Sequence, residues 1–196
     1  MAIDHTGAIL FPSYTFLRII GRLAFPIYTF LLVEGFFHTR DIKKYTIRLG
    51  VFALISEIPF DLAFYKIPFY LGHQNIFFTL LLGMLALMLI KKLKNNFIGF
   101  FAFLIIAVVA ELLHTDYGAF GILLIGIFYG FRKKDILKTV FVTVANIFLA
   151  GGAQAFASLS MIPILFYNGK KGPSLKYVFY GFYPIHLLIL YIIYSL

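Results

Sequence analysis

Apolar side chains run through this chain in long stretches, divided by short clusters that hold most of its charge. A membrane-spanning helix needs about 20 such residues, with a lower limit near 17. Nine runs approach that pattern, over residues 1–11, 14–37, 45–64, 75–90, 97–113, 117–131, 136–150, 153–167 and 177–196. Each is expected to be a helix. The first is too short to cross a bilayer alone, and other short ones are accommodated by local bilayer thinning or oligomerisation at modest cost. The expected fold class is an all-α, polytopic integral membrane bundle of about nine transmembrane segments in one domain over residues 1–196, with a truncated or half-length first segment.

Composition strengthens that reading. Of the 196 residues, 62% are hydrophobic and only 13% charged, against about 25% charged in soluble domains. Too few polar side chains are present to clothe a soluble fold of this size. The net charge of +9 invites nucleic acid as a partner, but the basic residues lie in short clusters between apolar runs, the pattern of cytoplasmic loops. The lipid bilayer, not nucleic acid, is the expected partner. Zero cysteines exclude disulfides, thiolate nucleophiles and cysteine metal sites. The first apolar run has neither a basic flank nor a small-residue cleavage pattern, so no cleavable signal sequence is expected.

Charge in the connecting loops orients the segments. Arg40, Lys43, Lys44 and Arg48 follow the second run; Lys91, Lys92 and Lys94 follow the fourth; Arg132, Lys133, Lys134 and Lys138 follow the sixth. Lys170, Lys171 and Lys176 follow the eighth, and only Arg18, Arg22 and Lys66 remain for the other side. Positive loops stay cytoplasmic. The expected location is therefore the cytoplasmic (inner) membrane, multi-pass, with the N-terminus cytoplasmic and the C-terminus outside.

That topology sorts the polar residues by depth. Glu57, Asp61, Asn75, Glu111, His114, Asp116, Asn146 and Gln154 fall toward the outer side, Arg18 and Arg22 enter from it, and Asp4, His5 and His186 lie near mid-depth. Glu34, His38, Asp41 and Asp135 fall at cytoplasmic ends, near solvent. Ionisable groups within apolar spans are costly and mark functional sites by default, so an outward-leaning polar cavity is expected. His5 suits a general base, because an unperturbed imidazole titrates close to neutral pH; the plainer reading is a polar helix end. Asp4, next to it, is expected to hold a group such as Arg22 or to help position the site. Arg18 and Arg22 share a helix face at i, i+4, and their rigid forks suit phosphate, carboxylate or a developing oxyanion; snorkelling to the interface is the alternative.

Glu57 and Asp61 are also i, i+4, with Pro59 between them to kink the helix; two close carboxylates demand a partner cation or raise one pKa, unless both reach water. A lone His186 in FYPIHLLIL reads most simply as a hydrogen bond to a neighbouring helix. The small residues of GILLIGIFYG and AGGAQAFAS read as packing surfaces, and the phenylalanines as lipid-facing filler. No phosphate-cradling motif or metal-ligand constellation is visible, and no metal is expected.

The ordered motifs IDHTGAI, GRLAFPIYTFLLVEGF, ISEIPFDLAF, QNIFFTLLLG, DYGAFGILLIG and FYPIHLLIL resemble the TraX family over nearly the whole chain. Its founding member is associated with conjugative plasmids and acetylates the N-terminus of a pilin subunit, and the family is similar to transmembrane acyltransferases that use an intramembrane histidine. The resemblance implies His5 as catalytic residue with Asp4 beside it, and Arg22, Asn75, Tyr117 and His186 as site-lining residues. It implies acetyl-CoA as acyl donor and a pilin-like or envelope acceptor. Relatives carry more apolar sequence before Asp-His than the three residues present here, which is why the first helix is expected to be incomplete. Two other function classes compete: a small proton-coupled transporter, for which no internal repeat is apparent, and a non-catalytic pilus or conjugation assembly factor.

Overall fold

The computed structural model describes residues 1–170 and 176–196, with the backbone alone for 176, 177 and 179. Lys171 and the side chain of Lys176, counted above among the basic loop residues, lie outside the described residues. The described residues are overwhelmingly helical: α1 (Ala2–Ile9), α2 (Thr15–Arg22), α3 (Ala24–His38), α4 (Ile42–Tyr65), α5 (Ile76–Leu93), α6 (Asn96–Leu112), α7 (Gly118–Gly130), α8 (Asp135–Val144), α9 (Met161–Leu165) and α10 (Lys176–Ser195). A π turn (Ala145–Ala150) and a 3-10 stretch (Gly152–Ser160) join α8 to α9. Among the described residues, two helical stretches, Thr15–His38 and Ile76–Leu93, are long and apolar enough to cross a membrane.

The single run expected over 14–37 is interrupted at Leu23, between α2 and α3. Pro26 explains the break: it has no N–H for the carbonyl of Arg22, and its ring crowds that carbonyl. The backbone tightens instead, and the Leu23 N–H turns back to the Ile20 carbonyl. Pro59 leaves α4 continuous over 24 residues. The runs expected over 136–150 and 153–167 are not simple helices either. Asn146 donates its amide to the Val142 carbonyl and accepts from Gln154 Nε2, while the Gly151 N–H reaches five residues back to the Asn146 carbonyl. Gly151 and Gly152 then take φ of 62° and 51°, a left-handed conformation that glycine adopts at little cost.

By its internal contacts the chain divides into two compact units. One comprises Met1–Ile27, Ile55–Tyr70 and Val142–Leu196; the other comprises Tyr28–Leu54 and Leu71–Phe141. In the first unit, α1 packs on α2 and α10, and α2 also packs on the 3-10 stretch. Lys66, following α4, donates to the Ala63 carbonyl and lies 3.4 Å from the ring centre of Tyr194, tying α10 to the end of α4.

The second unit is built on α5, α6 and α7, each packed on the other two. Gly126 of α7 lies so close to Phe103 of α6 that an added Cβ would stand 2.6 Å from the ring. Side chains supply the caps that helix ends require. Asn95 accepts from the N–H groups of Phe97 and Ile98 at the start of α6, and Glu111 accepts from the Ala119 N–H at the start of α7. Several phenylalanines are core rather than filler: Phe30, Phe36, Phe77 and Phe128 are all buried here. Glu34, expected near solvent, is 8% exposed, and its carboxylate takes a two-pronged grip from Arg132 at 2.6 and 2.9 Å. At the exposed start of α4, the Lys44 N–H and ammonium beside Asp41 hold its carboxyl below the usual range.

Asn75 is fully buried. It accepts from the Phe77 N–H at 3.0 Å and donates to the Ala53 carbonyl at 2.8 Å, capping α5 and tying it to α4. Replacing it with Ala takes the cap from the buried Phe77 N–H, a buried orphan that costs about 1–3 kcal/mol, and removes the tie to the Ala53 carbonyl. Asn75→Ala is therefore expected to lower the thermal unfolding midpoint of the detergent-solubilised protein by several degrees; an unchanged midpoint would show that this tie contributes nothing.

Candidate active site

Polar chemistry in the first unit gathers on α1. This helix is short, but it carries Asp4 and His5 in succession, so their side chains leave it in different directions. Asp4 turns to α2 and His5 to α10.

The α1–α2 contact is an antiparallel hairpin closed through glycine. A Cβ at Gly21 would collide with the backbone and Cβ of Asp4, and one at Gly7 would stand 2.7 Å from Leu17 Cβ. Only the absence of side chains lets the helices come this near. The close approach delivers both arginines of α2 to one carboxylate. Arg18 Nη1 lies 3.0 Å from Asp4 Oδ2 and 3.1 Å from the Asp4 carbonyl oxygen, and Arg22 Nε lies 3.8 Å from Asp4 Oδ1. The expected Asp4–Arg22 contact is present, with Arg18 as the closer partner. Asp4 is 9% exposed. One carboxylate between two guanidiniums leaves an excess of positive charge suited to an anion or developing oxyanion.

On the other face of α1, His5 is 7% exposed and His186 8%. His5 Nδ1 and His186 Nε2 are 2.8 Å apart, and the rings lie nearly parallel at 9° with centroids 5.0 Å apart. His186 Nδ1 is in turn 2.7 Å from the Phe182 carbonyl oxygen, one turn back on α10. Phe182 stacks on the His186 ring, while Phe64 and Tyr183 present edges to His5. The pair is thus held by an aromatic wall contributed by α4 and α10.

The remaining candidates divide by unit. Glu57 and Asp61 lie one turn apart on α4 within the first unit. Asp61 is buried and accepts the Tyr70 N–H at 2.8 Å, fastening the segment after α4. Asn75 and Tyr117 belong to the second unit, Asn75 as the cap described above and Tyr117 at the start of α7, its N–H 3.4 Å from Thr79 Oγ1. Among the described residues, no group of three or more His, Asp or Glu is placed to hold a metal ion.

The family resemblance put His5 and His186 in one site, but sequence reasoning did not foresee their direct hydrogen bond, nor the Phe182 carbonyl, Phe64 and Tyr183 around them. The two histidines are 181 residues apart, and no spacing rule links them. The one local signal was FYPIH: it puts His186 four residues after Phe182, within reach of a carbonyl one helical turn away.

Comparison with known proteins gives a consistent result. The sequence profile of the family described as TraX protein matches residues 1–194. A probable fimbrial assembly protein FimC, serogroup H1, of Dichelobacter nodosus is 34% identical over 97% of this chain and 89% of its own length. No solved structure matches the chain.

The ion pair yields a direct test. Residues in one salt-bridge network couple by about 0.5–3 kcal/mol. A double-mutant cycle with Asp4→Asn and Arg18→Gln, read by thermal or denaturant unfolding, is expected to show favourable coupling within that range. Strict additivity would mean that the carboxylate and Arg18 act independently.

Proposed function

This chain belongs to the TraX family, and we propose that it is a membrane-embedded acyltransferase in which His5 is the general base. One observation carries this reading: an imidazole buried in an aromatic wall, on the same short helix as a carboxylate that gathers two guanidiniums. A base and the carboxylate that gathers two anion-stabilising guanidiniums thereby sit on consecutive residues. Acyl transfer needs that combination, because a proton leaves the nucleophile as negative charge grows on the carbonyl oxygen.

Embedding in the bilayer is supported by the two long apolar helices and by α6, which exposes Phe97, Phe100, Ile105, Val108 and Leu112 while burying Gly99 and Ala110. A contiguous apolar face of that kind seeks lipid or another apolar partner. The exposed Lys92, Lys94, Lys133 and Lys134 suit the phosphates of a cytoplasmic acyl-CoA, with acetyl-CoA as the donor. The acceptor is an amine or hydroxyl on the outer side, on a pilin-like protein N-terminus or an envelope component. A role in pilus biogenesis is supported by the name of the Dichelobacter relative.

In the reaction, His5 removes the proton from the acceptor as its nitrogen or oxygen attacks the thioester carbonyl. Arg22, the guanidinium farther from the Asp4 carboxylate, stabilises the oxyanion. The carbon–sulfur bond then breaks, and the protonated His5 returns the proton to the departing thiolate, leaving the base ready for another cycle. Asn75 is tied to backbone groups in the second unit, so the oxyanion role falls to Arg22. A second reading, a non-catalytic assembly factor, draws on the same relative's name.

His5→Ala separates the two. The variant is expected to lose acyl transfer from acetyl-CoA in isolated membranes by about a hundredfold or more, the scale of a general base, while remaining expressed and folded with a lowered melting point, since His5 is buried against His186 and Phe64. Wild-type transfer by His5→Ala would reject the catalytic role.

A further inference from the structure

The two imidazoles do more than touch, because the group at the end of their chain has only one hydrogen-bonding character. The Phe182 carbonyl can accept and cannot donate. His186 Nδ1, 2.7 Å away, must therefore carry the proton in that bond. A neutral His186 then has a bare Nε2, which can only accept. His5 Nδ1, 2.8 Å from that nitrogen, must donate. The proton on neutral His5 is thereby assigned to Nδ1, and its lone pair to Nε2.

We infer that His186 is a positioning residue: through the ordered series Phe182 carbonyl, His186, His5, it locks His5 in the tautomer whose Nε2 is the basic atom. This rests on the reading of His5 as general base and adds which atom is basic and what makes it so. The same tie restrains the ring, since an imidazole held by a hydrogen bond at Nδ1 and flanked by the edges of Phe64 and Tyr183 has little freedom to turn over. When Nε2 accepts a proton from the acceptor, the Nδ1–H already points at the His186 lone pair. The imidazolium so formed is stabilised without any movement of His186, whose own proton stays on Nδ1. A carboxylate does this work in the serine-hydrolase triad. Here a neutral imidazole anchored on a backbone carbonyl takes that place, and the carboxylate next to His5 in the chain, Asp4, is engaged by Arg18 and Arg22.

Two amide substitutions separate the two ends of the relay. Gln at 186 places a carbonyl oxygen near the position of Nε2 and can still accept from His5. Asn at 186 places its amide near Nδ1 and keeps only the link to Phe182. Nitrogen-15 spectra of histidine-labelled protein in lipid nanodiscs read the tautomer directly, with signals assigned by single substitution of His38, His73 and His114. Wild type is expected to show protonated Nδ1 and bare Nε2 on both His5 and His186. His186→Gln is expected to keep that state at His5, and His186→Asn to release it into a tautomer mixture. A wild-type His5 protonated at Nε2 and bare at Nδ1, or a doubly protonated His186, would overturn the proposal whether or not either variant folds. In transfer assays, His186→Gln should retain at least about tenfold more activity than His186→Asn, the scale by which groups orienting a reactive residue affect rate; equal loss in both would also overturn it. If the wild-type protein transfers no acyl group while its spectra show the expected tautomer, the acyltransferase reading fails and the relay stands.

Discussion

The first unit depends on how closely α1 lies against its neighbours. Eight residues of helix bury little surface and have no regular partner for half of their backbone groups, so α1 is not stable by itself. It is held on one side by Gly21 and Gly7, which let α2 approach to backbone contact, and on the other by α10. Everything chemical in this unit follows from that clamping. Without the glycine contact, Asp4 would not reach two arginines; without α10, His5 would have no Nδ1 acceptor.

Burial sharpens both interactions. A salt bridge of this kind contributes little on a protein surface, and a buried one repays its desolvation only with good geometry. Asp4 goes part of the way: Oδ2 lies 3.0 Å from Arg18 Nη1, its own carbonyl also binds Arg18, and Oδ1 faces Arg22 at an ion-pair distance of 3.8 Å. The histidine pair avoids the problem differently, since two neutral rings ending on a carbonyl need no counter-ion. A charged cluster and a neutral relay stand back to back on adjacent residues. The first suits charge that develops during a reaction, and the second suits a proton that moves.

The second unit is organised by the same physics for another purpose. Asn75, Asn95 and Glu111 complete helix ends, and Arg132 closes on Glu34 while lying 4.4 Å from the ring centre of Phe37. Gly118, at φ of 46°, leaves the space that the Glu111 carboxylate occupies. Polar residues that look like site candidates in an apolar sequence serve here as caps and ties. That is the ordinary fate of a polar group in a low-dielectric interior, where an unmet hydrogen bond costs more than a satisfied one contributes.

Hydrophobic periodicity and length were enough to find the helices, because a run of apolar residues between charged clusters has few other solutions. The break at Leu23 was not read, although its cause is local: Pro26 acts on the turn just before it, and the unbroken apolar run over 14–37 hid it. The shared face of Arg18 and Arg22 was readable, because helical spacing is a local property. The irregular turns over 145–160 were less legible: they follow from Asn146 bonding to its own turn and from two glycines leaving the right-handed region. Tertiary structure alone decided which polar residues meet. Asn75 as the tie to the Ala53 carbonyl, Glu34 as ion-pair partner and His186 as acceptor for His5 are outcomes of helix packing across 22, 98 and 181 residues. Side-chain identity specifies what a group can bond to, but only packing sets which complementary group comes within 3 Å of it.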